Sequence, residues 1–162
     1  MKKILIIEDN NDIRENLVEF LELSGYETIS ADNGKKGIEM TKEFKPDLII
    51  CDVIMPTMNG YEVLCLLLET TRINDIPFIF SSSKAEKSDY AEGMELGADD
   101  YMIKPFEMET LLIRLETCLQ SGCHRHNCVE MIEYITNAAT VKTFITKQNK
   151  VQQNNRLIHV SD

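Results

Sequence analysis

The sequence predicts an α/β protein in which helices cover both faces of a parallel β-sheet. Between residues 1 and 120, five short apolar runs alternate with five stretches whose apolar residues recur at helical spacing. The apolar runs are unbroken, as is typical of strands that are buried on both faces of a parallel sheet. At 162 residues, the chain is long enough for one well-packed domain and too short for two of ordinary size.

The five predicted strands are runs of apolar or β-branched residues bounded by polar or turn-forming residues. In chain order they cover residues 4–7, 27–31, 48–51, 76–80 and 100–103. The second run is weaker than the others. The third is followed at once by Asp52, and then by Pro56, Asn59 and Gly60, which favour a turn before the next helix.

A predicted helix follows each strand. The third, at residues 60–69, is rich in leucine, whereas the fourth, at 84–96, is charged and has few candidate core positions. A helix with so narrow an apolar face is free to serve as a contact surface. For the other three helices, the spacing predicts core-facing residues Ile13, Leu17, Phe20 and Leu21 in the first, Ile38, Thr41 and Phe44 in the second, and Met108, Leu111, Leu112, Leu115, Cys118 and Leu119 in the fifth.

Polar and charged side chains follow four of the strands. They are Glu8-Asp9, Asp52, Ser81-Ser82-Ser83 and Lys104-Pro105. The carboxyl ends of parallel strands open on one edge of the sheet, where ligands bind in folds of this class. Three converging carboxylates repel one another unless a cation neutralises them, and their oxygen ligands suit Mg²⁺. With a hydroxyl and an ammonium nearby, the set predicts phosphoryl transfer to a carboxylate.

These residues resemble, in order, the signatures of the bacterial two-component response regulator receiver domain, over residues 2–120. The signatures are Glu8-Asp9, Asp52 with Met55-Pro56 and Gly60, Ser82, Tyr101, and Lys104-Pro105-Phe106. The resemblance implies a chemotaxis-regulator-like sheet with the flavodoxin-type strand order 2-1-3-4-5. It also implies a signalling phosphoacceptor that assists only its own phosphorylation and dephosphorylation.

The resemblance assigns a role to each site residue. Asp52 is the implied phosphoacceptor. Mg²⁺ would be held by Asp9, Asp52 and the backbone carbonyl of Ile54, with Glu8 acting through coordinated water. Ser82 and Lys104 would contact the phosphoryl oxygens. The switch pair would be Ser82 and Tyr101, and the Lys104-Pro105 bond would be cis.

Two further implications concern partners and variation. The phosphoryl donor would be a histidine kinase or phosphotransfer protein, and the signal would be read by a downstream protein, or by a second copy of this chain, on the face formed by the fourth helix, fifth strand and fifth helix. Ser83 stands where the family usually has a smaller residue. Ile54 and Lys84 occupy positions that tune hydrolysis of the acyl phosphate.

Other functions fit the residues less well. A haloacid-dehalogenase-type phosphatase needs a second aspartate two residues after the nucleophile, where this chain has Ile54. A P-loop nucleotidase or a flavodoxin needs a phosphate-binding loop that does not follow the first strand. The alternative from a different class is a receiver-like scaffold that is regulated by partner binding without phosphorylation.

Composition limits the partners and the compartment. The net charge of −10 argues against binding nucleic acid through a general basic field. The apolar run at residues 4–7 is too short for a signal peptide or a membrane span. The odd number of cysteines, five, argues against a closed disulfide framework and favours reduced thiols in a cytoplasm.

The composition changes near residue 120. Residues 1–120 carry 12 Lys/Arg against 24 Asp/Glu, whereas residues 121–162 carry 5 against 3. Residues 121–162 are predicted to be an extension with an amphipathic helix at 128–139 and a polar tail that packs on the domain, pairs between chains or begins an output module. Its four candidate soft ligands, Cys123, His124, His126 and Cys128, lie too close together for all of them to reach one zinc ion, which favours a Cys/His-containing linker.

Overall fold

The computed structural model describes residues 1–70 and 75–121, and these form a five-stranded parallel sheet with five helices. The strand order is β2-β1-β3-β4-β5. Both the doubly wound α/β class and the predicted strand order are therefore confirmed. Within these two ranges, no helix has the length and apolar character needed to cross a bilayer.

Strands and helices alternate along the chain. The strands are β1 (Lys3–Ile7), β2 (Glu27–Ala31), β3 (Leu48–Asp52), β4 (Phe78–Ser82) and β5 (Asp100–Ile103). The helices are α1 (Asn11–Leu23), α2 (Gly34–Phe44), α3 (Gly60–Thr70), α4 (Lys87–Glu95) and α5 (Met108–Ser121). Asparagines begin two of the helices: Asn10 accepts the Ile13 N–H at 3.1 Å, and Asn33 accepts the Lys36 N–H at 2.9 Å.

The helices divide between the two faces of the sheet and bury a separate core on each. On one face, α3 contributes Val63, Leu64 and Leu67, and partly buried residues of α2 and α4 pack beside them. On the other face, α1 and α5 pack against Ile6, Ile50, Ile79 and Met102 of the strands. The buried residues that the two helices contribute are Leu17, Leu21, Leu111, Leu115 and Cys118. Because side chains alternate along a strand, each central strand is buried on both faces.

The fourth helix has a narrow core face, as predicted. Gly93 is its one fully buried residue. A Cβ atom at that position would lie 2.9 Å from Cδ2 of Tyr101 and 3.1 Å from Cδ2 of Phe80, so only glycine lets the helix approach these rings so closely. The helix therefore lies against the sheet with little apolar anchoring of its own.

Three details differ from the sequence-based expectations. Strand β4 starts at Phe78 instead of Ile76 and continues through Ser82, because Ser81 still pairs with Asp52 of β3 and Ser82 with Ile103 of β5. Helix α4 starts at Lys87 instead of Lys84. Phe44, predicted to face the core, is 41% exposed, because it is the last residue of α2, where Lys45 follows in the left-handed conformation.

The predictions for the C-terminal extension concern residues outside the described ranges. They include the helix at 128–139, the polar tail and the Cys/His cluster at 123–128. The division of the chain into a domain and an extension stays a prediction.

Candidate functional site

Three carboxylates converge at the carboxyl edge of the sheet. One oxygen from each of Glu8, Asp9 and Asp52 lies within 4.8 Å of the others. Glu8 is 2% exposed and Asp52 is 6% exposed, whereas Asp9 is exposed. The cluster therefore has two buried acids and one that faces solvent.

The sheet itself brings these acids together. Asp52 is the last residue of β3, and Glu8 follows β1 directly. The pairing of Ile7 with Cys51 places the two acids on neighbouring strands. After Asp52 the chain turns so tightly that a Cβ at Gly60 would lie 2.3 Å from the Asp52 carbonyl oxygen, so this position requires glycine.

Lys104, which follows β5, supplies a positive charge to the cluster from two strands away. Its Nζ lies 2.7 Å from Oε2 of Glu8 and 3.6 Å from Oδ1 of Asp52. The Lys104 backbone N–H donates to the Ser82 carbonyl at 2.8 Å, which extends the β4–β5 pairing to this residue. The peptide bond between Lys104 and Pro105 is cis.

The surroundings of Asp52 favour its neutral form. Burial is the main cause, and the charge of Glu8 adds to it, so the pKa of Asp52 rises from 3.8 to about 7. The Lys104 ammonium and a backbone hydrogen bond from Ile54, 3.3 Å long, act in the opposite direction and do not cancel these effects. A further cation placed beside Asp52 would therefore stabilise its ionised form.

The donor set fits a hard divalent cation. Clustered carboxylate oxygens with one side open to solvent are the ligands that Mg²⁺ prefers, and the mutual repulsion of the acids is what such a cation relieves. Ile54 lies next to the cluster, with its N–H directed at Asp52 and its side chain 49% exposed. Nitrogen and sulfur ligands are absent from the group formed by Glu8, Asp9 and Asp52, which argues against a zinc site there.

Ser82 and Tyr101 are linked through one residue, Lys84. The Ser82 hydroxyl oxygen accepts the Lys84 N–H at 3.1 Å, and the Tyr101 hydroxyl donates to the Lys84 carbonyl at 3.0 Å. Ser82 is fully buried, and the Tyr101 ring is buried beside α4, at 2% exposure. Both residues therefore hold the loop between β4 and α4.

The sequence patterns did not single out Arg14, the reason that Gly60 must be glycine, or the burial of Ser81. Arg14 donates to the Glu8 carbonyl at 2.9 Å from one turn into α1, a contact that no local motif marks. The steric requirement at Gly60 depends on a tertiary contact. Ser81 was noted only as one of three serines, although it is buried beside Asp52; its position was accessible from strand alternation once the strand bounds were known.

Comparisons with known proteins place the chain in a family. Residues 4–116 match the response regulator receiver domain family. Among curated proteins, the phosphate regulon transcriptional regulatory protein PhoB of Pseudomonas aeruginosa is 38% identical over 119 residues, which is 74% of this chain and 52% of PhoB. A probable transcriptional regulator, ycf27, of Cyanidium caldarium is 34% identical over 160 residues, covering 98% of this chain and 63% of that protein.

Solved receiver structures share the fold. The Vibrio cholerae chemotaxis protein CheY4 aligns with a TM-score of 0.69 at 30% identity, covering 72% of this chain and 98% of that one. A Francisella response regulator receiver domain aligns with a TM-score of 0.71 at 29% identity, covering 75% of this chain and 98% of its own. The chain spans about half the length of PhoB and matches the solved receiver domains over nearly their whole length. It belongs to the response regulator receiver domain family of two-component signalling systems.

Proposed function

We propose that this chain is a phosphorylation-controlled switch whose phosphoacceptor is Asp52. The observation that supports this most directly is the position of Asp52, which is buried next to Glu8 and Asp9 and has the Lys104 ammonium 3.6 Å away. An aspartate that only ends a strand does not require two further acids and a partly buried lysine beside it. A carboxylate that accepts a highly charged phosphoryl group needs cations to balance that charge. The two further acids would hold a metal cation, and the lysine supplies an ammonium.

The proposed step transfers a phosphoryl group to one carboxylate oxygen of Asp52. A bond forms between that oxygen and phosphorus, and the bond from phosphorus to the donor breaks, with its electron pair leaving on the donor. The donor is a phosphohistidine of a histidine kinase or phosphotransfer protein, or a small acyl phosphate such as acetyl phosphate. Lys104 and Ser82 stabilise the transferred oxygens by donating hydrogen bonds.

The proposed cofactor is Mg²⁺. Asp9, Asp52 and the Ile54 carbonyl would hold it, with Glu8 acting through coordinated water. When bound, it supplies positive charge that lowers the repulsion between the acids and the incoming phosphoryl oxygens. Glu8 contributes a second function, since its 2.7 Å contact keeps the Lys104 ammonium beside Asp52.

The proposed readout surface is the face formed by α4, β5 and α5, and its partner is a downstream protein or a second copy of this chain. Each of these elements exposes one large apolar or aromatic side chain: Tyr90 is 44% exposed, Ile103 is 42% exposed and Ile113 is 64% exposed. Apolar groups with this much exposure are suited to a protein contact. The Ser82–Lys84–Tyr101 hydrogen bonds connect this face to the phosphoacceptor edge.

The experiment that tests this function is intact-mass measurement after incubation with acetyl phosphate. The protein should gain one phosphoryl group in Mg²⁺ and none in excess chelator, and Asp52→Asn should abolish the gain. Asp47→Asn is the matched control, because Asp47 lies just before the start of the same strand and an amide oxygen can still accept the Lys3 N–H that Asp47 accepts at 2.7 Å.

Asp47→Asn should be labelled like the unmodified protein. Equal labelling of Asp52→Asn would remove Asp52 as the acceptor. If neither the unmodified protein nor Asp47→Asn gains mass, although both are folded and bind a partner protein, regulation by partner binding without phosphorylation becomes the better description.

A further inference from the structure

Ser81 carries a buried hydroxyl beside the phosphoacceptor. Within residues 1–70 and 75–121, its Oγ is the one buried side-chain nitrogen or oxygen that lacks a hydrogen-bond partner. Ser81 is 2% exposed, and it pairs with Asp52 on β3 and with Met102 on β5. An unpaired buried hydroxyl costs stability, so its presence at this site calls for an explanation.

The Ser81 side chain lies on the same face of the sheet as the charged cluster. Partners in register share a face, and side chains alternate along a strand. Ile79 and Ile50 both contribute to the core under α1 and α5. Two residues further along the same strands, Ser81 and Asp52 therefore project from that face, as Lys104 does two residues after Met102.

Strand order then places Ser81 underneath the Lys104 side chain. Lys104 follows β5, and its ammonium reaches Asp52 on β3 and Glu8 after β1. Strand β4 lies between β5 and β3. The lysine chain must therefore cross β4 on this face, at the level of its last residues, where Ser81 offers a small side chain and a free acceptor.

We propose that Ser81 is a positioning residue for Lys104, a role that rests on the proposed phosphorylation of Asp52. In the resting site, the ammonium is held by Glu8 at 2.7 Å. When it moves to the phosphoryl oxygens, it leaves Glu8 and one of its N–H groups needs a new acceptor. Ser81 Oγ accepts that N–H, and so holds the ammonium where the transferred charge develops.

The test is the rate of phosphorylation by acetyl phosphate in saturating Mg²⁺, with the lifetime of the phosphorylated form measured alongside it. Ser81→Ala should slow phosphorylation about tenfold, the usual effect of losing one hydrogen bond to a charged group. Ser81→Thr, which keeps the hydroxyl, should retain most of the rate. The same alanine variant should melt at an equal or higher temperature, because it removes an unpaired polar atom.

A structural role alone predicts a different pattern, with stability and rate falling together. Thr41→Ala is the matched control, because Thr41 is a buried hydroxyl that bonds the Gly37 carbonyl within α2, away from the site; it should leave the rate unchanged. In a Lys104→Gln background, Ser81→Ala should have no further effect on the rate.

The outcomes separate this inference from the proposed function. Unchanged phosphorylation of Ser81→Ala, with the unmodified protein labelled on Asp52, overturns the role of Ser81 and leaves the phosphoacceptor assignment intact. A tenfold loss that persists in the Lys104→Gln background also overturns it. Absence of labelling in the unmodified protein overturns both.

Discussion

Acidic side chains lie at both ends of the parallel sheet, and their hydrogen-bond donors distinguish the two ends. At the amino edge, Asp47 accepts the Lys3 N–H at 2.7 Å and Asp99 accepts the Phe78 N–H at 2.8 Å. At the carboxyl edge, Asp52 accepts one longer bond, 3.3 Å, from Ile54 and faces Glu8 across the site.

The comparison shows how a structural carboxylate differs from one that is available for chemistry. At the amino edge, each acid accepts a short backbone hydrogen bond that fixes the start of a strand, whereas the backbone N–H groups that Asp52 and Glu8 accept lie 3.3 and 3.2 Å away. At the carboxyl edge, Glu8 and Asp52 compete for the same ammonium, and the repulsion is not relieved within the protein. Unrelieved charge in a buried position favours binding of a cation or of a group that neutralises an acid.

The largest expected effect is on the free energy of unfolding when an aspartate is replaced by asparagine. The substitution should stabilise the protein at the carboxyl edge and destabilise it at the amino edge. The pKa of Asp52 is about 7 in the folded protein, against an ordinary value of 3.8 for an aspartate. Between these two pH values, the folded state binds a proton that the unfolded state does not, so stability falls as pH rises. Without Mg²⁺ at pH 8, Asp52→Asn should therefore stabilise the protein by on the order of 2–4 kcal/mol.

Denaturant unfolding in chelator from pH 5 to pH 8 measures this effect. The advantage of Asp52→Asn over the unmodified protein should shrink as pH falls from 8 toward 5, because Asp52 of the folded protein then takes up a proton and no longer carries a buried charge. Asp47→Asn should instead destabilise the protein by about 1 kcal/mol, since its hydrogen bond to a backbone N–H becomes weaker. If Asp52→Asn is destabilising throughout, Asp52 is no more strained than Asp47.

The sequence alone predicted the sheet and most of the residues at its carboxyl edge. Unbroken apolar runs identify buried strands, and the residues after each run identify the edge where the acids meet. The orientation of Ser81 and its lack of a partner were not predictable from sequence, because they depend on where β4 ends and on how far Lys104 reaches. The exposure of Phe44 was missed for a related reason: helical spacing continues to the last residue of α2, where the ring is 41% exposed and lies under the Lys3 ammonium instead of in the core.

A second expected effect is on cation binding, and it should be confined to the carboxyl edge. Mg²⁺ at ten times its dissociation constant should stabilise the unmodified protein by about 1.4 kcal/mol. Asp9→Ala should lose most of this increment, because it removes the exposed carboxylate of the cluster. Thermal melts with and without Mg²⁺ measure the difference.

Asp99→Asn is the control at the amino edge. It should start from a lower stability, because Asp99 accepts the Phe78 N–H, and should still gain the full increment from Mg²⁺. An equal increment in Asp9→Ala would remove Asp9 from the metal site, and loss of the increment in Asp99→Asn would mean that the two edges are not independent.

The smallest expected effect in free energy is the coupling between the carboxyl edge and α4. The Ser82 hydroxyl accepts the Lys84 N–H, so it can turn toward a phosphoryl oxygen only by giving up that bond. The Tyr101 hydroxyl bonds the carbonyl of the same residue. Each bond is worth about 1 kcal/mol, and the phosphoryl contact replaces one of them. The populations of the conformations of the loop and of α4 should therefore change, without unfolding of either segment.

Amide chemical shifts measured with beryllofluoride, which stands in for the phosphoryl group on Asp52, test this coupling. The largest changes should appear near Asp52, at Tyr101 and along residues 84–95, because α4 buries only Gly93 and has only a partly buried Met94 against the core. Signals at the amino edge, such as those of Lys3 and Phe78, should stay in place. Helix α5 should move less than α4, since it buries Leu111, Leu115 and Cys118.

Ser82→Ala tests whether the coupling between Asp52 and α4 passes through Ser82, because it removes the hydroxyl that can bond either Lys84 or a phosphoryl oxygen. Beryllofluoride should then still bind and shift the signals near Asp52, while the changes along residues 84–95 become small. Ser83→Ala is the matched control: its hydroxyl is exposed and next in sequence, and its loss should leave the distant changes intact. If the α4 signals move fully in Ser82→Ala, the connection does not pass through Ser82, and the hydrogen bond between Tyr101 and Lys84 only holds the loop in place.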